Sequence, residues 1–199
     1  GLPIYTWPDQ DALAAQMNAW WAGNSREGRF SVLGCYSLGK AQRVLSMLDP
    51  DIGPILTHGA VEATNRVLRA QGIALPDTIE LTDDMDQKAY EGAFVLAPPG
   101  ALNSDWAGRF RPRSTGFVSG WMALRGIRRR RGVDRGFVMS DHADWPGLNR
   151  AIAATGAERI FVTHGYTDVF RRWLEGEGYE AHVVSTAFGE AEVQQISPR

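Results

Sequence analysis

Short apolar runs separated by helix-length segments recur along this chain, and that alternation constrains the fold more than any other feature. Residues 29–35, 54–57, 93–97 and 116–120 each read as a short buried strand. Two further runs, Val138-Met139-Ser140 and Ile160-Phe161-Val162, end abruptly at histidines, His142 and His164, with helix-like sequence after each. Strands this short and apolar, alternating with helices, predict an α/β fold: a mostly parallel sheet with helices on both faces.

The two histidines give the chemistry its first anchor. In an open α/β sheet, ligands and catalytic groups gather at the carboxyl ends of the strands, where loops and helix N-termini leave a crevice. If the two strands are neighbours, His142 and His164 face one cleft. A lone histidine after a strand is ordinarily a hydrogen-bonded structural residue; two at matching positions favour function. Asp141 and Asp144 flank His142, and a carboxylate can fix an imidazole's tautomer and raise its basicity. Two histidines still do not make a metal site, because a catalytic zinc needs about three protein ligands and an open position.

At 199 residues the chain is long enough for a sizeable core, and a formal net charge of −2 announces no global attraction to nucleic acid. The arginines are unevenly placed, however, so a local field is expected. The single cysteine, Cys35, excludes an internal disulfide and suits a reducing cytoplasm. No run approaches a membrane span, and no charged-then-apolar signal opens the chain. The first residue is Gly1, which suggests a processed chain or a fragment.

Thr6-Trp7-Pro8-Asp9 reads as a helix start with Thr6 as cap, and Leu13, Met17, Trp20 and Trp21 recur at helical spacing as far as Gly23-Asn24. Gly34-Cys35-Tyr36-Ser37-Leu38-Gly39-Lys40-Ala41 nearly spells a phosphate-binding P-loop leading into a helix over 41–48. It fails at Ala41, where a hydroxyl should hold Mg²⁺. What survives is Gly39 and Lys40 at a helix start, a plain cap or a phosphate contact. His58 and His182 read as structural, and Asp83, Asp84, Asp86 and Glu91 as a solvated acidic face. Six arginines between Arg125 and Arg135 read as a solvated linker and a boundary, or as a phosphate track using Arg128 and Arg129. Helices are expected over 145–155 and 168–175, and a last strand from Ala181 to Ser185.

Taken in order, Gly39-Lys40-Ala41-Gln42, Pro98-Pro99-Gly100 with Ser104, Val118-Ser119-Gly120-Trp121, Ser140-Asp141-His142-Ala143-Asp144 and Val162-Thr163-His164-Gly165 resemble the β-CASP nucleases of the metallo-β-lactamase fold. Gly1-Leu2-Pro3-Ile4-Tyr5 and Asp144-Trp145-Pro146-Gly147-Leu148 are most similar to the bacterial ligase-associated DNA exonuclease branch, itself similar to mRNA 3′-end processing factors. The resemblance implies a β-CASP module over residues 1–134 and a returning segment of the metallo-β-lactamase domain over 135–199. It further implies two metals, usually zinc, with His164 as a ligand and His142, supported by Asp144, as general acid near the scissile phosphate. Gly39, Lys40, Ser104, Ser119, Arg128 and Arg129 are the implied phosphate or nucleic-acid contacts.

The family's main ligand motif, His-x-His-x-Asp-His, is absent, as are its further ligands and its first acidic β-CASP motif; all would precede Gly1. The chain is therefore expected to be the carboxyl-terminal part of a cytoplasmic DNA-repair exonuclease, inactive alone, acting on DNA rather than RNA and associated with a DNA ligase. Its natural complement is the amino-terminal metallo-β-lactamase portion, and apolar surface is expected beyond Arg135 where that portion would pack. An RNA-processing nuclease of the same family and a non-catalytic phosphate- or nucleotide-binding α/β module are the rival readings.

Overall fold

A computed structural model describes residues 1–184 and divides the chain into two compact units, Trp7–Asp141 and a smaller one made of Gly1–Thr6 with the segment from His142 onward. The larger unit is a six-stranded sheet in the order β3-β2-β4-β1-β5-β6, with every pairing parallel. Its strands are β1 (Phe30–Gly34), β2 (Ile55–Thr57), β3 (Ile79–Glu80), β4 (Phe94–Ala97), β5 (Arg113–Val118) and β6 (Arg135–Phe137). The expected α/β architecture is therefore present.

Helices cover both faces, as the alternation of core side chains along the central strands demonstrates. Leu33, Phe94 and Leu96 pack with Leu13, Met17 and Trp21 of α1 (Gln10–Arg26), Val44 of α2 (Lys40–Leu45) and Val61 of α3 (Gly59–Ala70). Phe30, Val32 and Val95, pointing the other way, meet Phe110 and the partly buried Leu102 and Trp106. Those belong to or adjoin α4 (Pro99–Leu102) and α5 (Asp105–Gly108). Aromatic edges knit each face: Trp20 and Trp21 approach Phe94 at 6.0 and 5.3 Å, and Phe30 meets Phe110 at 5.4 Å.

The first helix begins later than the sequence suggests. Asp9 is the cap, accepting from the amides of Asp11 and Ala12, whereas the Thr6 hydroxyl donates back to the Pro3 carbonyl at 3.2 Å. Its end also runs on to Arg26, and α2 spans Lys40–Leu45 rather than 41–48. The arginine run is not a linker: Arg125–Arg131 forms α6, closed by Gly132 in a left-handed conformation. His58 caps α3, its Nδ1 accepting from the Ala60 amide at 3.0 Å.

In the smaller unit, α7 (Trp145–Thr155) precedes β7 (Arg159–Val162), α8 (Thr167–Gly176) and β8 (Glu180–Val183), and β7 pairs β8 in parallel. Val162, Phe170, Leu174 and Ala181 form its core, with Trp145 set edge-on to Phe170 at 5.4 Å. The opposite face of this two-stranded sheet carries the exposed Phe161 stacked on His182. Tyr166, Val169, Trp173, Val183 and Val184 are exposed as well, so this unit presents the apolar surface expected beyond Arg135. Ser185, the expected end of the last strand, lies outside the described residues. Among the described residues no helix is long and apolar enough to cross a membrane.

Candidate functional site

Topology selects one edge of the larger unit. The chain leaves β1 toward β2 and β3 on one side, returns to insert β4 between β2 and β1, then leaves β4 toward β5 on the far side of β1. Neighbouring parallel strands whose connections run in opposite directions define a switch point, and the crevice beyond their carboxyl ends is where such sheets bind ligands. The chain leaving β1 there is Cys35-Tyr36, followed by the turn into α2.

Each residue of the P-loop-like pattern has a local task in that turn. Gly34 lies against Leu102 of α4, whose side chain occupies the space a Cβ would need. Gly39 takes φ 77°, a left-handed turn that favours glycine. Lys40 is buried, and its ammonium lies 3.3 Å from an Asp141 carboxylate oxygen and 5.0 Å from the Tyr36 ring centre. Gln42, quoted in the sequence motif but given no role there, pins the turn: its Oε1 accepts from the Gly39 amide at 2.8 Å and its Nε2 donates to Ser37 O and Asn65 Oδ1. Burial pushes the Cys35 thiol up to about 12, against the opposing pull of Lys40, so it is a core residue and no nucleophile.

From α2, Arg43 donates to the Ser140 carbonyl at 2.9 Å while Lys40 holds Asp141. One short helix thus fixes the two residues immediately before His142. Ser119 is nearly buried; its hydroxyl accepts from the Trp121 amide, and its own amide donates to Phe137 O. Gly120 has no room for a side chain, because the Trp7 ring and Ser140 Cβ stand 2.8 and 3.1 Å from where a Cβ would be. The exposed Ser104 hydroxyl donates to Ala101 O at 2.9 Å. Arg128 and Arg129 are exposed on α6, away from this turn in sequence and on a helix of their own.

His142 and His164 are not at the ends of neighbouring strands. β6 belongs to the six-stranded sheet and β7 to the two-stranded one. The run before His142 is also not strand: β6 stops at Phe137, whose register partner Val118 is the last residue of β5, so Val138 has no strand left to pair with. Both histidines are exposed and both belong to the smaller unit. Asp144 caps α7, its Oδ1 accepting from the Gly147 amide at 2.8 Å, and the Trp145 amide donates to Tyr5 O at 2.8 Å.

His164 is the outlier of the backbone. It follows β7 at φ 67°, the one non-glycine residue with positive φ among the described residues, and Gly165 continues at φ 78°. Tyr166 comes next, and burial together with the Tyr166 phenol pushes the Tyr5 phenol up to about 12. Among the described residues no group of three or more His, Cys, Asp or Glu side chains is arranged to hold a metal ion. The described residues therefore do not by themselves supply the roughly three ligands a catalytic zinc needs.

No protein-family model matches the sequence. The chain is 29% identical over 184 residues to a protein of Opitutus terrae named "Probable DNA ligase", an alignment covering 92% of this chain and 18% of that protein. The chain thus spans less than a fifth of the length of the curated relative it matches.

Proposed function

We propose that this chain is one portion of a nucleic-acid phosphodiesterase of the β-CASP metallo-β-lactamase type, acting as a DNA exonuclease in repair. In this reading His142 protonates the leaving oxygen as the P–O bond breaks, Asp144 fixes the loop that carries it, and His164 is a metal ligand. The observation that carries the reading is the left-handed backbone of His164 at the carboxyl end of β7. Holding a non-glycine residue in that region costs on the order of 1–3 kcal/mol, and such residues cluster at active sites. An imidazole also suits the proton transfer, since its ordinary pKa lies close to neutrality.

Two further observations support the reading. The relative from Opitutus terrae is named for joining DNA, which favours a nuclease working beside a ligase over an RNA-processing factor. Parallel sheets are almost always covered on both faces, and the β7–β8 sheet leaves Phe161 exposed, which favours cover from further polypeptide. A zinc pair in this reading takes one ligand from His164 and the others from the amino-terminal metallo-β-lactamase portion. The rival phosphate-binding module draws no support from the turn before α2, where the Lys40 ammonium faces Asp141.

The test is to restore the amino-terminal portion and assay labelled DNA and RNA in parallel. The reading expects chelator-sensitive hydrolysis of DNA that His164→Ala abolishes. Absence of hydrolysis, or undiminished hydrolysis in His164→Ala, overturns it; faster cleavage of RNA moves the substrate to the processing branch.

A further inference from the structure

Within the larger unit, the segment from Arg109 to Arg135 concentrates positive charge. It holds nine arginines against one acidic residue, Asp134, in a chain whose formal net charge is −2. Of the nine, Arg109 is the one with an ion pair among the described residues, to Asp83 at 3.1 Å. Among the rest, Arg113, Arg128 and Arg131 form a strip on one face of the sheet edge, whereas Arg135, the register partner of Gly116, lies on the other. Arg113, Thr115 and Phe117 alternate along β5 on the face opposite Gly116, which packs on Leu33 and Trp20. The Arg131 guanidinium covers the Phe117 ring at 4.1 Å. Gly136, the register partner of Phe117, lets the Arg128 stem lie directly over β6; a Cβ there would stand 2.8 Å from Arg128 Cδ.

Beside this strip opens a cleft of about 520 Å³, lined by Asn103, Arg111, Arg113, Thr115, Gly132 and Asp134 among others. Its one carboxylate faces a neighbour: Asp134 Oδ2 accepts from the Thr115 amide and hydroxyl at 2.7 and 2.9 Å. The two cleft arginines are anchored by single bonds, Arg111 Nε donating to Gly108 O at 3.1 Å and Arg113 Nη1 to Phe110 O at 3.4 Å. A guanidinium carries five donors in a planar fork matched to phosphate oxygens, so each has donors left for a ligand at little ordering cost.

We propose that this cleft and the arginine strip bind the phosphate backbone of a single nucleic-acid strand, with Arg111 and Arg113 as the central contacts and Arg131 and Arg128 continuing the track. A cleft of this size admits a nucleotide and is too small for a duplex. The ligand class rests on the nuclease reading above, which names Arg128 and Arg129 at this edge; the cleft at Arg111 and Arg113 rests on charge, geometry and space that reading does not use.

The experiment measures fluorescence anisotropy of a labelled oligothymidylate across a salt series, in chelator so that binding is read without hydrolysis. The wild-type chain is compared with Arg111→Gln/Arg113→Gln and with Arg111→Gln/Arg131→Gln, whose two sites are both exposed, each variant being checked for folding by circular dichroism. Arg66→Gln, an exposed arginine paired with Glu80, is the control. Each double variant is expected to bind about tenfold more weakly, with the log–log salt slope shallower by roughly 1.4, while the control matches wild type. No binding by wild type, unchanged affinity and slope in a folded double variant, equal loss in the control, or tighter binding of duplex than of single strand overturns the proposal. Intact binding with no hydrolysis after the missing portion is restored would instead refute the roles given to His142 and His164.

Discussion

The two units solve the same structural problem to different extents. Among the described residues, the larger sheet has six parallel strands with apolar side chains buried on both faces, whereas the smaller has two parallel strands, one core and a face on which Phe161 is exposed. Two strands are marginal by themselves, and parallel pairing is slightly weaker per residue than antiparallel. The unit with the larger core supplies the scaffold, and the other carries both histidines.

Native-state hydrogen exchange is the widest test of that contrast. Amides of β1 and β4 should be protected by on the order of 4 kcal/mol more than those of β7 and β8. Equal protection in the two sheets would break the comparison. Within the larger unit, Glu62 is buried and accepts from Thr57, Asn65, Thr78 and Arg69. Burial raises its carboxyl, but those four partners outweigh it and hold the group below the ordinary glutamate value of 4.5. Its contribution is therefore fully present above that value and is lost as pH falls through the folded-state value. Glu62→Gln should cost about 3 kcal/mol in urea unfolding at neutral pH and flatten the acid limb; an unchanged acid limb would contradict this.

The smaller unit yields smaller numbers, and one of opposite sign. His164→Gly relieves the left-handed backbone and should stabilise the unit by about 1 kcal/mol. A destabilisation of that size would show that His164 is held there for structure. Phe161→Ser on the open face should change stability by less than about 0.5 kcal/mol, because the side chain is 60% exposed. A large loss would mean that the face is covered after all.

Much of this was legible locally, and what failed was long-range. The helix over 145–155 was readable at both ends, since Asp144 before Trp145-Pro146 is a cap and Gly156 takes the left-handed stop. The buried strands were readable because central parallel strands are apolar on both faces. The Lys40–Asp141 ion pair was not readable, because its two members lie about a hundred residues apart. The end of β6 at Phe137 depends on where β5 ends, which no reading of Val138-Met139-Ser140 contains. The arginine run was mistaken for a linker because its charge suggests solvent, yet arginine is a good helix former and Gly132 supplies the stop. The cleft at Arg111 and Arg113 had one sequence signal, arginine density without acidic neighbours, which is conspicuous from Arg125 onward and diluted by other residues before it.

The most direct test of the proposed chemistry concerns the proton His142 is held to donate. In the protein with its amino-terminal portion restored, His142→Ala is assayed on DNA and on a nucleoside p-nitrophenyl phosphodiester, whose leaving group departs without protonation. The account predicts a loss of roughly 100-fold or more on DNA and a far smaller loss on the activated ester. Equal losses on the two substrates would contradict it.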